Sequence, residues 1–143
     1  MEDKVFLVAN GLATVGWILL VFLPRFKVTE WVVHKGLLPL CLSGIYITYI
    51  VMTMGEGEGG FGTLDGVASL FENKGVLLAG WVHYLVFDMV VGSRIQKDAA
   101  GRGIHHLATV PSLIFTFMLG PVGYASYMVL RQFVGKRQEN RVL

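Results

Sequence analysis

Two ionisable side chains, His83 and Asp88, lie inside one apolar run of the chain, residues 75–92. A carboxylate in a membrane-spanning segment costs about 2.5–3.5 kcal/mol near the bilayer centre, so such a residue is a functional candidate by default. Asp88 is a candidate proton donor or ligand; the alternative is an acid near the membrane surface that pairs with Arg94 or another loop cation. His83 is a candidate base or ligand; the alternative is a histidine whose hydrogen bonds are satisfied by packing.

The spacing of these two residues separates them around a helix. Five residues correspond to about 500° of rotation, so His83 and Asp88 lie about 140° apart around the axis. They cannot form a local i,i+4 metal pair. If both are buried, their helix has protein on two sides, or one of them lines a cleft. We therefore expect this third helix to be the central one of a bundle.

A metal site is one hypothesis for these groups. His83, Asp88 and His106, with Asp98 as a further candidate, would offer nitrogen and oxygen ligands to a divalent transition metal. His105 and His106 are adjacent, so they cannot both point inward.

Aromatic side chains accompany these groups within the apolar runs. Their spacing fits helix packing, and it also fits the lining of a long, flat, apolar ligand in a groove between helices. The candidate binding residues are Trp81, Tyr84, Trp17, Tyr46 and Tyr49.

The elements that position these residues are predicted to be transmembrane helices. The apolar runs are 5–23, 36–54, 75–92 and 107–130, each close to the roughly 20 residues that cross a bilayer. Of the charged residues, only Asp88 lies inside a run. Backbone groups in hydrocarbon must pair locally, which favours helices. We predict an all-α fold, a four-transmembrane-helix bundle forming a single domain over residues 1–143.

A short interfacial helix is predicted between the second and third spans. The glycine-rich stretch 55–62 cannot hold a regular element. After it, apolar residues recur at helical spacing over 64–73, with Thr63 as a candidate cap and Asp65 in the first turn. The pair Gly120-Pro121 is expected to bend the fourth span.

The composition excludes several classes of protein. Hydrophobic residues make up 54% of the 143 residues and charged residues 15%, against about 25% charge in soluble domains. Disorder and a collagen-like fold are excluded, and a net charge of +2 is too balanced for a nucleic-acid binder. Cys41 is the only cysteine, so no disulfide forms within the chain.

The expected location is an integral position in the inner (plasma) membrane of a prokaryote. The leader, residues 1–4, is net acidic, unlike the basic start of a signal peptide. With four spans, Lys and Arg divide evenly between the two sides, so the orientation stays open. The pair Ala9-x-x-x-Ala13 permits a homo-oligomer.

Residues 81–94, WVHYLVFDMVVGSR, resemble the signature segment of the ABA4-like proteins, a family named for a plant protein required for neoxanthin synthesis. The resemblance covers nearly the whole chain. It includes the segments 24–29 (PRFKVT), 66–71 (GVASLF), 103–106 (GIHH) and 120–123 (GPVG).

This resemblance implies a membrane protein and carotenoid chemistry. The plant relative opens the 5,6-epoxide of violaxanthin to an allene and a tertiary alcohol, an isomerisation that needs an acid and a base but no cofactor. On this chain the resemblance implies Asp88 as acid and His83 as base, with Arg94 or Tyr84 orienting Asp88. A metal-assisted oxidative variant would use the divalent metal described above.

The expected partners are a carotenoid or other long apolar isoprenoid and the lipid bilayer. The alternative to an enzyme is a non-enzymatic carotenoid- or lipid-binding module, or an assembly factor. A small ion conductor is disfavoured, because one deep histidine and one acid are too few for a relay.

Overall fold

The computed structural model describes residues 1–53, 55 and 59–134. Glu56 to Glu58 of the predicted glycine-rich loop lie outside the described residues. So do Met54, the predicted end of the second span, and the basic tail residues Lys136, Arg137 and Arg141.

The described part of the chain is all-helical. The elements are α1 (Glu2–Phe22), α2 (Lys27–Thr29) with a π-helical turn (Glu30–His34), α3 (Leu37–Thr53), α4 (Leu64–Glu72), α5 (Lys74–Gly101), α6 (His106–Leu119) and α7 (Pro121–Val134). In this part of the chain, the segments long and apolar enough to cross a membrane are Glu2–Phe22, Lys27–Thr53 and Lys74–Gly101. The first three predicted spans are therefore confirmed as apolar helical segments.

The predicted fourth span over 107–130 is wrong as a single helix. The run folds into two antiparallel helices of 14 residues each, joined at Gly120. Ser126 Oγ donates a hydrogen bond to Ser112 Oγ at 2.9 Å, and a Cβ on Gly123 would overlap the backbone of Thr116. The two helices therefore form a closed hairpin, hereafter the C-terminal hairpin.

The C-terminal hairpin packs along α5. Helix α6 runs from the C-terminal end of α5 toward its middle, and α7 runs back to that end. Gly120, at the tip, lies against Asp88 in the middle of α5. Tyr127 of α7 donates a hydrogen bond to Asp98, near the end of α5, at 2.6 Å. The fourth run thus enters the bundle and leaves it on the same side.

Helix α5 is the central element, as predicted, although only Asp88 of its two polar residues is buried. It packs against α1, α3, α4 and both hairpin helices. It also extends to Gly101, nine residues beyond the predicted span. Polar bonds support this extension: Gln96 Nε2 donates to the carbonyl of Leu20 at 2.7 Å, and Ser93 Oγ lies 2.7 Å from His34 Nδ1.

The predicted N-terminal cap of the short helix α4 is present. Helix α4 begins after Thr63, whose Oγ1 accepts a hydrogen bond from the backbone N–H of Gly66 at 3.0 Å, so the predicted cap is confirmed. Its interfacial position stays a prediction.

Ala9 and Ala13, the pair that permits a homo-oligomer, are buried in the core of the chain itself. This pair therefore packs within one protomer.

Candidate functional site

The carboxyl group of Asp88 is enclosed by the tip of the C-terminal hairpin. Asp88 is 8% exposed. A Cβ at position 120 would lie 2.5 Å from Asp88 Oδ1, and Gly120 has a φ of +26°, which side chains rarely adopt. Glycine at the tip therefore allows the chain to reverse directly over the carboxyl group.

The polar contacts of Asp88 are incomplete. Tyr84 lies one turn earlier on α5, close to the carboxyl group. The Tyr84 hydroxyl donates to the carbonyl of Phe117 at 3.2 Å. Among the described residues, Asp88 Oδ2 has no hydrogen-bond partner. A buried oxygen without a partner is costly to keep and calls for an explanation, such as a proton or a ligand.

No described cation pairs with Asp88. Arg94, the expected partner, is exposed and lines a different cavity together with Asp98. The interpretation of Asp88 as a surface acid in an ion pair with Arg94 therefore receives no support, and Tyr84 is the residue placed to orient it.

Beside Tyr84, an apolar groove opens on the flank of the bundle. This lateral groove has a volume of about 590 Å³. It is lined by Phe71, Leu77, Gly80, Trp81, Tyr84, Met118, Leu119 and Pro121.

The orientation of Trp81 in this groove is fixed by its neighbours. The indole N–H donates to Asn10 Oδ1 at 3.2 Å, and the ring lies 5.5 Å from that of Tyr84. Trp81 remains 40% exposed. Two of the five predicted binding aromatics thus present ring surface to a groove, as a flat apolar ligand requires.

The other three predicted binding residues lie elsewhere. Trp17 is 4% exposed and packs in the core, where its ring occupies the space that a Cβ on Gly92 would need. Tyr49 is buried, and Tyr46 lies near His83 with 5.7 Å between ring centroids.

The structure does not bring His83 and Asp88 together. His83 is exposed and stacks on Phe87, with ring centroids 4.6 Å apart, whereas Asp88 is buried under the hairpin tip. The two residues occupy different faces of α5, as their spacing predicts. Their acid and base roles stay predictions.

The proposed metal ligands do not converge either. His106 Nε2 lies 2.8 Å from the carbonyl oxygen of Val21. Within the described ranges, no group of three His, Cys, Asp or Glu side chains could hold a metal ion. The residues present do not fit a resident metal at His83, Asp88 and His106.

Sequence reasoning missed a second polar cluster around Asp98. Asp98 Oδ2 accepts from Arg102 Nε at 2.7 Å and lies 3.5 Å from Arg131 Nη1, in addition to its bond with Tyr127. The hydrogen bond to Asp98 raises the pKa of Arg102 above its ordinary value. The i,i+4 spacing of Asp98 and Arg102 was a detectable signal; the contribution of α7 was not. This cluster holds the base of the C-terminal hairpin on α5.

A family profile described as ABA DEFICIENT 4-like matches residues 4–127, which include α5 and the tip of the C-terminal hairpin. Among curated proteins nothing matches the chain. No solved structure matches it either. Its long apolar helices and this match make it a membrane protein, and the chain belongs to the ABA4-like family.

Proposed function

We propose that this protein is a carotenoid-modifying enzyme that isomerises an epoxide end group to an allene. The observation that carries the proposal is the buried carboxyl group of Asp88, one oxygen of which has no hydrogen-bond partner among the described residues. It lies one helical turn from Tyr84, which lines the apolar groove. Family membership supports a carotenoid as the substrate. In the proposed arrangement the ring lies in the groove, and Asp88 and Tyr84 together carry the proton.

The proposed reaction begins with a protonated Asp88. Its proton passes through the Tyr84 hydroxyl to the epoxide oxygen, the bond from C6 to oxygen breaks, and the oxygen stays on C5 as a hydroxyl. The proton on C7 then leaves, and its electron pair forms the second double bond of the allene. That proton returns through Tyr84 to the Asp88 carboxylate. No atom or electron is gained or lost.

This route uses one carboxyl group as acid and then as base. It differs from the expected division of roles between Asp88 and His83, because His83 lies on another face of α5. His83 as the base remains a prediction that the same experiment tests.

The test is pigment chromatography of membranes from a carotenoid-producing host that expresses the protein. We expect an allenic product with the parent chain. General acid–base catalysis contributes about 10²–10⁴-fold, so Asp88→Asn and Tyr84→Phe should abolish detectable product. Asp65→Asn makes the same chemical change at an exposed site on α4 and should leave product formation unchanged.

The outcomes separate the assignments. Full conversion by inserted Asp88→Asn protein would exclude Asp88 as the acid. Loss of product in His83→Ala with normal insertion would restore His83 as the base. Conversion that requires an added transition metal would favour the metal-assisted oxidative variant.

A second candidate function is a non-enzymatic carotenoid- or lipid-binding module, or an assembly factor. The separation of His83 from Asp88 favours it, because a binding module needs no paired acid and base. It predicts that pigment co-purifies with the protein unconverted, and that Trp81→Ala lowers the amount bound. The proposed location is the inner membrane of a prokaryote, which fractionation of the native cells would test.

A further inference from the structure

A basic cavity lies at the end of the bundle where α1 stops, far from the lateral groove. Its volume is about 380 Å³, within the range of about 300–1,000 Å³ typical of small-ligand sites. The residues that line it are Pro24, Arg25, Phe26, Lys27, Glu30, His34, Gln96, Lys97 and Ala100.

The charges in this basic cavity are not balanced by the protein. Lys97 Nζ lies 3.6 Å from Glu30 Oε1. Among the described residues, Arg25 and Lys27 have no acidic partner within 4 Å. The cavity therefore carries excess positive charge and suits an anion.

Gln96 supplies the second, independent observation. It lines the cavity yet is only 6% exposed. Its Nε2 is committed to the carbonyl of Leu20 at 2.7 Å, which fixes Oε1 as the free end of the amide. His34 is a neighbour, but Oε1 accepts no hydrogen bond of ordinary geometry within the described part of the chain. A buried acceptor of this kind calls for a donor, such as a ligand hydroxyl or a water molecule.

The surroundings of the cavity place it at headgroup level. Phe26, between Arg25 and Lys27, is 60% exposed, and Trp31 on the next turn is 62% exposed. Lys35 Nζ lies 3.4 Å from the centroid of the Trp31 ring. Tryptophan beside basic residues is typical of the membrane–water interface, and basic pockets between membrane helices bind anionic headgroups.

We propose that this basic cavity binds the headgroup of an anionic phospholipid that carries a hydroxyl donor, as phosphatidylglycerol does. The phosphate lies against Arg25 and Lys27, and a headgroup hydroxyl donates to Gln96 Oε1. Inorganic phosphate shares this chemistry, but the exposed aromatic residues on the rim favour a ligand with acyl chains.

Native mass spectrometry of the delipidated full chain in detergent tests the proposal. We expect one phosphatidylglycerol to bind in preference to phosphatidylcholine. Each basic residue near an anionic lipid contributes about five-fold to binding, so the double variant Arg25→Gln/Lys27→Gln should lose about twenty-five-fold. Lys35→Gln removes a charge at the same end but outside the cavity, and its affinity should stay within about two-fold.

Three results would overturn this assignment. The first is an equal loss in Lys35→Gln, which would indicate nonspecific surface attraction. The second is unchanged binding by the double variant. The third is displacement of the lipid by millimolar inorganic phosphate, which would make the ligand a free anion.

The hydroxyl is tested with phosphatidylmethanol, an anionic lipid whose headgroup has no donor. It should bind about three-fold more weakly than phosphatidylglycerol, the scale of one hydrogen bond. The variant Gln96→Met should remove this difference while retaining the preference for anionic lipid. A persistent difference in a folded Gln96→Met protein would exclude Gln96 as the acceptor. Because Gln96 is buried, its replacement can destabilise the protein. Lipid binding by Gln96→Met is therefore compared with that of the parent only if the two proteins have similar melting temperatures without lipid.

Discussion

Replacing Gly120 with alanine tests the position of the hairpin tip over Asp88. Two costs are expected. The backbone of Gly120 (φ +26°, ψ −83°) lies outside the regions that side chains adopt, which costs at least the roughly 1–2 kcal/mol of a left-handed residue. The new Cβ would also lie 2.5 Å from Asp88 Oδ1. Such overpacking costs about 1–3 kcal/mol more.

Gly103→Ala is the matched control, because Gly103 has a φ of +68° but open space around its Cβ position. It should incur only the backbone cost. One kcal/mol shifts the melting temperature of a chain of this size by about 3 °C. Gly120→Ala should therefore melt about 3–9 °C below Gly103→Ala when tryptophan fluorescence is followed in detergent.

The contact with Asp88 is isolated by a double variant. In an Asp88→Ala background the carboxyl oxygens are gone, so the part of the Gly120→Ala cost that comes from contact with Asp88 should vanish. Equal melting temperatures for the two glycine variants in the parent, with no coupling to Asp88→Ala, would refute the placement of the carboxyl group under the tip. It would also remove the structural basis for the proposed proton path.

Three further substitutions test other parts of the fold. Gly123→Ala should destabilise the protein by about 3 kcal/mol or more, because its Cβ would overlap backbone atoms of Thr116 that cannot move aside; a normal melting temperature would show that the hairpin is open. Tyr127→Phe should cost about 1.5–3 kcal/mol, the scale of a hydrogen bond to a charged Asp98, measured by thermal unfolding. Thr63→Ala should cost about 0.5–2 kcal/mol of local stability, and hydrogen exchange should rise in α4 while α5 keeps its protection.

Helices α1, α3 and α4 and the first part of α5 could be predicted from the sequence because local signals determine them, whereas the helical turns over residues 27–34 were not predicted. Apolar runs without charge must be helical in a membrane, and Thr63 marks the start of α4 through its own side chain. The central place of α5 was predicted from burial of both His83 and Asp88, but only Asp88 is buried, so the prediction was right for half of its reason. The length of α5 did not follow, because Gln96 and Ser93 are held by Leu20 and His34, which are distant in sequence.

The C-terminal hairpin could not be predicted with the same reasoning. Its apolar length satisfies one crossing, and a glycine–proline pair fits a kink as well as a reversal. Whether the run kinks or reverses depends on whether its two halves carry small residues that face each other when the chain turns back. Ser112 and Thr116 on one arm face Gly123 and Ser126 on the other, and that pairing is visible only once the chain is known to turn back.

In the candidate site, too, one residue could be predicted from the sequence and its surroundings could not. Asp88 was identified because an acid in hydrocarbon is conspicuous from sequence alone. Its surroundings were not, since Tyr84, Phe117 and Gly120 meet there only through the packing of the C-terminal hairpin.

The partial crossing of the C-terminal hairpin also bears on the leaflet toward which the groove opens. Helix α6, with 14 residues, extends about 21 Å, roughly two-thirds of the hydrocarbon thickness. The lateral groove is the space left beyond its tip, bounded by the start of α5 and by α4.

The distribution of basic residues indicates which end of the bundle faces the cytoplasm. Among the described residues, only Lys4 and Lys74 lie at the groove end of the bundle. The opposite end carries the remaining described basic residues: Arg25, Lys27, Lys35, Arg94, Lys97, Arg102 and Arg131. Basic residues accumulate on the cytoplasmic side of membrane proteins. We therefore expect the end with these seven residues to be cytoplasmic and the lateral groove to open toward the outer leaflet.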